Sequence, residues 1–344
     1  MVCTHNDGSY WNKLIALGIT PHDLVLRKLS LSTLFKLLNI LRKEKPDLIH
    51  THGKGPGLYG RLLGWMLGIP VVHTFHGFQH KLLPVVQRWF YLFVENVLTL
   101  LTRHHIFVGN GEKNKAKVLM FLNDSNSSVV NNGIDLDSIQ ALPPAEEVLA
   151  SLKLGPRESI KIFGTLSRVS PEKGLDILLE GFVEAAKRAP YIRLLVIGDC
   201  PGEHEKYIKM ITQYIHENGL DDAVKILGAR EDALEILKSI DFYISPSRSE
   251  GLPYNLLEAL AVGKPVIATD IPGNNDIIRK SVEGVLVPVN SARTLAHGIL
   301  TLLELGPEER QAMQQNGKAR IQDQFSLNLM AEKTFSIYKK VLEG

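Results

Sequence analysis

Short apolar runs alternate with longer amphipathic stretches along most of the chain. In the first half, runs rich in β-branched residues predict strands at 2–5, 23–26, 48–52, 71–75, 105–110 and 128–132. Stretches with apolar residues at helical spacing lie between them, including 32–44 and 57–67. Because strands that alternate with helices form parallel sheets with right-handed crossovers, this half predicts an α/β domain.

The same alternation resumes after a stretch at 136–160 that carries three prolines and predicts a linker. Strands are predicted at 161–166, 193–198, 223–228, 241–245, 265–269 and 284–288, and helices near 291–304, 307–322 and 328–342. We therefore expect two doubly wound, Rossmann-like domains with a cleft between them. The first covers 1–148, the second covers 149–327, and a final helix over 328–344 packs back on the first. Ligands of such sheets bind beyond the carboxyl ends of the strands.

Composition and charge narrow the classes of function. The chain has 344 residues, of which 44% are hydrophobic, so it is long enough for two cores. Its 39 basic and 37 acidic side chains leave a net charge of +2, which argues against nucleic-acid binding. Cys3 and Cys200 are far apart, and the chain opens without an apolar signal segment. We expect a cytoplasmic protein without disulfides, with the inner face of the membrane as an alternative location.

The most apolar helix candidate covers residues 89–101 and is interrupted by Glu95 and Asn96. It is shorter than the roughly 20 apolar residues that span a bilayer. It therefore predicts a helix that is either buried in the protein or lies at a membrane interface, and burial is the favoured interpretation.

One stretch of the second half, residues 250–263, combines helix signals with two glutamates. Pro253 suits the first helical turn and Gly263 the position just past the end, which predicts a helix over 253–262. The free amides near its start suit a phosphate. Glu258 leans back toward that end, and because a diphosphate would repel it, a ribose diol is its expected ligand. Glu250, in the preceding loop, can reach a second hydroxyl-bearing group.

Two cations follow an earlier strand, in the segment "GTLSRVSPEKG" at 164–174. Arg168 and Lys173 can face the same strand ends, and each charge-assisted bond to a phosphate contributes about 1.5–3 kcal/mol. Taken singly, each of these side chains is more typical of a solvated surface. Their recurrence with the two glutamates at strand–loop junctions of one domain favours a diphosphate site. Asp135 and Asp137, in contrast, are expected to serve as loop or helix-capping residues.

Several of these segments resemble a known family. "EGLPYNLLEALAVGKPVIATDIPG" (250–273), "GTLSRVSPEKG" and "VNNGID" (130–135) resemble family 4 of the nucleotide-sugar glycosyltransferases, which have the GT-B fold. Residues 46–78 resemble the amino-terminal domain of its bacterial cell-surface polysaccharide members. The resemblance implies a retaining, metal-independent transferase without a cofactor. It would move a sugar from a UDP- or GDP-sugar to a saccharide or lipid-linked saccharide, in peripheral contact with the membrane.

The resemblance also implies roles for individual residues of the second domain. Arg168 and Lys173 would bind the donor diphosphate, and Glu258 the ribose. Glu250 would contact the transferred sugar near the reacting carbon. Four further positions would contact the donor: the backbone of Gly251 and Leu252, and Ala229 and Arg230 beside the nucleobase.

Histidines crowd two predicted strand ends of the first domain: His50, His52, His73, His76 and His80. No cysteine and no carboxylate at ligand spacing accompanies them, so no metal site is expected. For His50 and His73 we favour partly buried, hydrogen-bonded strand positions.

His76, which precedes Gly77, resembles the family's active-site histidine and would face the donor sugar across the cleft. His52 and Lys54 are predicted to lie on the acceptor side.

The start of the chain departs from the family pattern. The spacing from the run at 2–5 to the run at 48–52 matches the family's second and fourth strands, so the first strand and its glycine-rich loop are missing. The loss of a central strand predicts two unpaired sheet edges, and it leaves the activity of this chain open. Two alternatives therefore stand beside the transferase: a nucleotide-sugar epimerase, and a non-catalytic nucleotide-sugar-binding or partner subunit.

Overall fold

The computed structural model describes residues 1–3, 10–26, 29–77 and 84–343, and these form two compact units. Unit 1 consists of the described residues of Met1–Val108, Glu112–Val130 and Glu332–Gly344, and unit 2 consists of Gly109–Gly111 and Asn131–Ala331. The amino-terminal part of unit 1 therefore ends at Val130.

The predicted linker at 136–160 is also more structured than expected. It contains two short helices, and Asp135 caps the first of them by accepting a hydrogen bond from the Ser138 amide at 3.1 Å. The backbone amide of Ala145 donates to the Ser239 hydroxyl at 2.7 Å, which ties the stretch to unit 2.

The part of unit 1 before residue 131 contains six short strands and five α-helices in its described residues. They are β1 (Val2–Cys3), α1 (Tyr10–Ala16), β2 (His22–Asp23), α2 (Leu31–Glu44), β3 (Ile49–His52), α3 (Lys54–Leu67), β4 (Val71–Phe75), α4 (Val85–Leu100), β5 (His104–Phe107), α5 (Asn110–Leu119) and β6 (Ser127–Val129). Strands β3 to β6 form a parallel sheet in sequence order, whereas β1 and β2 form a separate parallel pair.

The division of strands into two sheets agrees with the unpaired edges expected from the sequence. Among the described strands, β3 pairs only with β4 and β1 only with β2. One apolar cluster nevertheless joins the two sheets, because Val2 and Ile49 both pack against its buried members, which include Tyr59 and Leu63. The hydrophobic effect therefore holds together a unit whose backbone ladder is interrupted.

Unit 2 is a complete doubly wound domain. Its elements are α6 (Leu136–Ala141), α7 (Glu146–Ser151), β7 (Lys161–Leu166), α8 (Leu175–Arg188), β8 (Ile192–Ile197), α9 (Glu205–Glu217), β9 (Val224–Gly228), α10 (Ala233–Ser239), β10 (Phe242–Ser245), α11 (Tyr254–Ala261), β11 (Val266–Thr269), α12 (Asn274–Ile277), β12 (Gly284–Val287), α13 (Ala292–Glu304) and α14 (Pro307–Gln324). The last helix, α15 (Leu327–Glu343), belongs to unit 1 from Glu332 onward.

The strand order of unit 2 decides where a ligand can bind. All six strands are parallel, in the order β12-β11-β10-β7-β8-β9, which is the order of dinucleotide-binding domains. The order reverses between β7 and β10, so the loops that follow these strands diverge to opposite faces and leave a crevice. Phe163 on β7 and Phe242 on β10 stack with ring centroids 4.8 Å apart, so the two strands are firmly packed below it.

No helix in the described ranges combines the length and the apolar character needed to cross a bilayer.

Candidate active site

The loops after β7 and β10 pack directly against each other at the switch point. Gly174 ends the first loop with φ 68°, and a Cβ there would lie 2.3 Å from the carbonyl oxygen of Pro246 in the second. The amide of Arg248 donates to the carbonyl of Glu172 at 2.7 Å. Only glycine fits at this approach, since it tolerates the left-handed backbone and has no side chain to displace the carbonyl.

The side chain of Arg248 fastens the β10 loop to α8. Its guanidinium donates two hydrogen bonds to the carboxylate of Asp176, at 2.9 and 2.6 Å, and one to Asn290 at 2.7 Å. Two parallel bonds between a guanidinium and a carboxylate fix the orientation of both groups. The loop that carries Glu250 is therefore held in place before any ligand is bound.

Lys173 and Glu250 form an ion pair at the centre of the site. The ammonium lies 2.6 Å from a carboxylate oxygen of Glu250, and the Ser247 hydroxyl donates to the same oxygen at 2.6 Å. Their side chains are only 19% and 8% exposed. The sequence suggested separate partners for the two residues, whereas the structure makes each the partner of the other.

Helix α11 starts one residue later than expected, with Pro253 as the residue that precedes its first turn. The amides of Gly251, Leu252 and Asn255 have no hydrogen-bond acceptor within the described chain, whereas the Leu256 amide donates to the Asn255 side chain at 2.9 Å. Three of the amides around the helix start therefore remain available to an anion.

The carboxylate of Glu258 lies one turn into α11 and is half-buried. It has no hydrogen-bond or ion-pair partner in the part of the chain that the structure describes, and burial raises its pKa. Burial, and then the charges of Glu250 and Glu258, raise the pKa of fully buried Tyr243, so both carboxylates lie near its hydroxyl group. A desolvated carboxylate without a donor is costly in a folded protein, and a ligand hydroxyl group would satisfy it.

The remaining predicted donor residues lie along the same row of strand ends. Arg168 follows β7 and is exposed, while Ala229 and Arg230 follow the edge strand β9. The guanidinium of Arg230 is occupied by Asp232, with two contacts of 2.7 Å. From β10 to β9 the row covers three strand spacings, or about 14 Å, which suits an elongated ligand.

In unit 1 the structure brings together His52 and His76. Their ring nitrogens lie 2.9 Å apart and the rings stack. Desolvation, and then the neighbouring His52, lowers the pKa of His76 to about 4, so the ring is neutral at pH 7. The ammonium of Lys54, at the start of α3, lies 4.7 Å from the centre of the Tyr91 ring of α4.

His50 and His73 are hydrogen-bonded as expected. His50 contacts the Tyr338 hydroxyl at 2.5 Å and the Thr74 hydroxyl at 2.7 Å, and buried His73 contacts the Thr51 hydroxyl at 2.8 Å. Over the described ranges, no group of three or more His, Cys, Asp or Glu side chains is arranged to hold a metal ion. His80 lies outside the described residues.

Two family models match this chain, one for each half. The model described as Glycosyl transferases group 1 matches residues 151–320, and the model described as Glycosyltransferase Family 4 matches residues 2–138. Together they account for most of the sequence. The chain is a group 1 glycosyltransferase of family 4.

Individual relatives agree with the family assignment. The chain is 28% identical to the Escherichia coli UDP-Gal:alpha-D-GlcNAc-diphosphoundecaprenol alpha-1,3-galactosyltransferase over 90% of its own length and 79% of the relative's. A glycosyltransferase from Rickettsia africae superimposes with a TM-score of 0.85 at 22% identity, over 100% of this chain and 90% of the other. Anabaena HepE in complex with UDP superimposes with a TM-score of 0.83 at 21% identity, over 97% and 90%. The two solved structures establish the GT-B fold.

Sequence reasoning on this glycosyltransferase missed the residues that hold its loops. Asp176 and Arg248 are 72 positions apart, and no local pattern links them. Ser247 is different, because it is a hydroxyl residue three positions before Glu250 at a strand end, and that spacing permits the observed hydrogen bond. The sequence therefore placed Lys173 and Glu250 at neighbouring strand ends, and it missed that they pair with each other.

Proposed function

We propose that this glycosyltransferase moves a sugar, with retention of anomeric configuration, from a UDP- or GDP-sugar to a saccharide or lipid-linked saccharide in cell-surface polysaccharide synthesis. The observation that carries the proposal is the grouping of a cation, free amides and an unpartnered carboxylate at the switch point of unit 2. Lys173, the α11 start and Glu258 match a diphosphate next to a ribose. The relatives support it, since one is named for a UDP-sugar and a diphosphoundecaprenol acceptor and another was solved with UDP.

The donor diphosphate is bound by the α11 amides, Lys173 and Arg168, while Glu258 accepts hydrogen bonds from the ribose hydroxyls. Because a diphosphate competes for the Lys173 ammonium, its binding weakens the ion pair with Glu250. The released carboxylate oxygen then accepts hydrogen bonds from the transferred sugar. In this proposal the nucleobase binds beside the Ala229–Arg230 segment, farther along the row of strand ends.

The reaction breaks the bond from the anomeric carbon to the phosphate oxygen and forms a bond from that carbon to an acceptor hydroxyl. Negative charge collects on the leaving diphosphate, and the cations and amides stabilise it without a metal ion or cofactor. The acceptor oxygen attacks from the face that the phosphate leaves, and its proton passes to the leaving phosphate oxygen. Neutral His76 hydrogen-bonds the donor sugar, and His52 and Lys54 contact the acceptor.

The charge argument is tested by K173A with K187A as control, since Lys187 is an exposed lysine at the end of α8. We expect K173A to lower kcat/KM by roughly 100-fold or more. The reason is that the variant loses a charge-assisted contact that becomes stronger in the transition state, when negative charge collects on the diphosphate. Sugar transfer is measured with UDP- and GDP-sugars and a lipid-linked saccharide, with and without chelator. Unchanged turnover by K173A would refute the proposal, and NMR of the product's anomeric proton tests retention.

The same assay separates the two alternatives. An epimerase converts the nucleotide-sugar without any acceptor, so a new sugar nucleotide forms in the donor-only reaction. A non-catalytic subunit binds the nucleotide-sugar in calorimetry and shows no turnover with any acceptor. The interrupted sheet of unit 1 is the observation that favours this second alternative.

A further inference from the structure

Helix α4 of unit 1 turns an apolar face away from the protein. Seven of its hydrophobic side chains are exposed, and Trp89 and Phe93 are both 66% exposed. The seven are Val85, Val86, Trp89, Phe90, Phe93, Val97 and Leu100. At 100° per residue they occupy one arc of about 140°, so they form a single outward face that we call the α4 face. The prediction that this helix is mainly buried was wrong.

The charged residues of α4 lie on the opposite side. Glu95 is buried and pairs with fully buried Arg61 at 2.9 Å, and Arg88, the other charged residue of the helix, lies two turns before it on the same side. Asn96, at the edge of the α4 face, donates to the carbonyls of Leu92 and Leu119. The helix therefore has a charged inner side and an uncharged outer side, the reverse of a solvated helix.

The apolar surface extends beyond α4. The Asn96 side chain also accepts a hydrogen bond from the Phe121 amide at 2.7 Å, which places the end of α5 beside the helix. Phe121 is 80% exposed and Val118 is 85% exposed. Contiguous exposed aromatic and aliphatic side chains of this extent mark an interaction site.

A cavity of about 780 Å³ lies at the carboxyl end of the α4 face. Its lining includes Leu100 from that face and Trp65 from the end of α3, together with Arg103 and Lys340. Lys340 donates to the Ser125 carbonyl at 3.1 Å, and neither cation forms an ion pair with a carboxylate in the described part of the chain. The apolar surface thus adjoins two cations that are available to an anionic group.

The charge of the chain is divided unevenly between its units. Unit 1 contains 18 basic and 9 acidic residues, a formal balance of +9, whereas unit 2 contains 21 and 28, a balance of −7. The overall charge of +2 hides this separation. The α4 face therefore belongs to a strongly positive unit.

We propose that the α4 face and the adjoining cavity form a docking surface for an anionic membrane. The apolar side chains enter the boundary between head groups and acyl chains, with Trp65 and Trp89 at the depth that tryptophan prefers. Arg103 and Lys340 contact lipid phosphates, and the surplus positive charge of unit 1 attracts the surface. A second copy bound symmetrically through the same face is the less suitable occupant, since it would bring another +9 unit against the first.

This inference rests on the proposed function only in that a lipid-linked acceptor resides in a bilayer. The docking step itself needs neither donor nor acceptor. It can therefore be measured with the full chain and vesicles alone.

The test is co-sedimentation with vesicles of phosphatidylcholine alone or of equal parts phosphatidylcholine and phosphatidylglycerol. We expect binding to the anionic vesicles, and at least a roughly tenfold weaker binding for W89S/F93S, which removes two large side chains from the interface. The matched control is Y191S/M210S, which removes two exposed apolar side chains from unit 2 and should bind as the parent does. R103Q/K340Q should lose much of the preference for anionic vesicles.

Two outcomes would overturn the docking surface. One is equal binding by W89S/F93S and its control. The other is an absence of vesicle binding together with a dimer, seen in sedimentation velocity, that W89S/F93S dissociates, because a second copy would then cover the α4 face.

UDP binding and sugar transfer to a water-soluble acceptor separate the two proposals. If both persist in W89S/F93S, the substitution has left the rest of the protein folded, and its vesicle result is decisive. If the parent binds vesicles but transfers no sugar, the docking surface stands and the proposed function fails.

Discussion

Glu258 illustrates how much a single side chain reveals about a ligand. Its carboxylate is half-buried, has no partner among the described residues, and has a pKa that burial raises. A raised pKa means that the folded protein favours the protonated acid, so ionisation at neutral pH costs stability. A buried carboxylate that lowers the stability of the folded protein in this way is typical of a binding site.

E258Q is predicted to separate ligand binding from stability. The amide keeps the size of the side chain and removes the buried charge, so the thermal stability of unit 2 should stay equal or rise. The affinity for UDP should fall roughly 10- to 100-fold, the value of losing hydrogen bonds to a charged acceptor. Calorimetry with UDP and its 2′-deoxyribose analogue measures the effect.

The control for this prediction is E304Q, which neutralises an exposed glutamate at the end of α13 and should leave binding unchanged. The parent should prefer the ribose over the deoxyribose nucleotide, and E258Q should lose that preference. If E258Q discriminates as well as the parent does, Glu258 does not bind the ribose.

The loops after β7 and β10 show how an element is positioned by contacts that are remote in sequence. Their contact depends on Gly174 against Pro246 and on the bonds of Arg248 to Asp176 and Asn290. Glu250 is in the second loop, so its position depends on the first.

G174A should therefore damage both the stability and the site of unit 2. A Cβ would lie 2.3 Å from a carbonyl oxygen at φ 68°, so we expect a loss of about 2–4 kcal/mol in the free energy of unfolding and weaker UDP binding. G219A is the matched control, because Gly219 has φ 64° and open space around it. Backbone strain alone should cost about 1 kcal/mol there.

Urea denaturation and UDP binding of the two variants distinguish the effects. Similar losses of stability in G174A and G219A would mean that the contact between the loops is unimportant and that only the backbone conformation matters.

The sequence predicted the strands of unit 2 closely, whereas three strands of unit 1 end three residues earlier than predicted. The strands of unit 2 were expected within one residue of their observed bounds, because buried parallel strands are continuous apolar runs between turn residues. The charged residues of the site were also expected, since they follow strand ends. The ion pair of Lys173 with Glu250 was not, because it depends on two loops that lie 77 residues apart.

The orientation of α4 shows what the sequence pattern could not predict. Apolar residues at helical spacing predict one hydrophobic face, and burial in the protein is its usual destination. Here Glu95 of the helix forms an ion pair on the inner side with Arg61, which lies on α3. The direction of the α4 face therefore depends on a tertiary contact that composition does not reveal.

At the scale of the whole molecule, unit 1 should be the part that acid destabilises first. Desolvation, assisted by neighbouring charges, lowers the pKa of His50 and His105 to about 3 and that of His104 to about 4. It also lowers the pKa of buried His73 well below its ordinary value. Each histidine would regain an ordinary pKa near 6.5 on unfolding. The unfolded chain then binds more protons, so stability falls as the pH drops below 6.5.

Tryptophan fluorescence can follow this loss, because Trp11, Trp65 and Trp89 all belong to unit 1. We expect the urea midpoint of the fluorescence transition to decrease steadily from pH 7 to pH 5, with each proton contributing up to about 1.4 kcal/mol per pH unit. UDP binding by unit 2 serves as the internal comparison. An unchanged midpoint over this range would contradict the assignment of neutral, desolvated imidazoles.

The uneven charge of the two units has a practical consequence for handling the protein. A chain whose overall charge is near zero is usually expected to bind ion-exchange resins weakly at neutral pH. This one should adhere to both cation and anion exchangers at low ionic strength, through different halves of the same molecule. For the same reason, molecules in dilute buffer should attract one another head to tail and separate as salt is added.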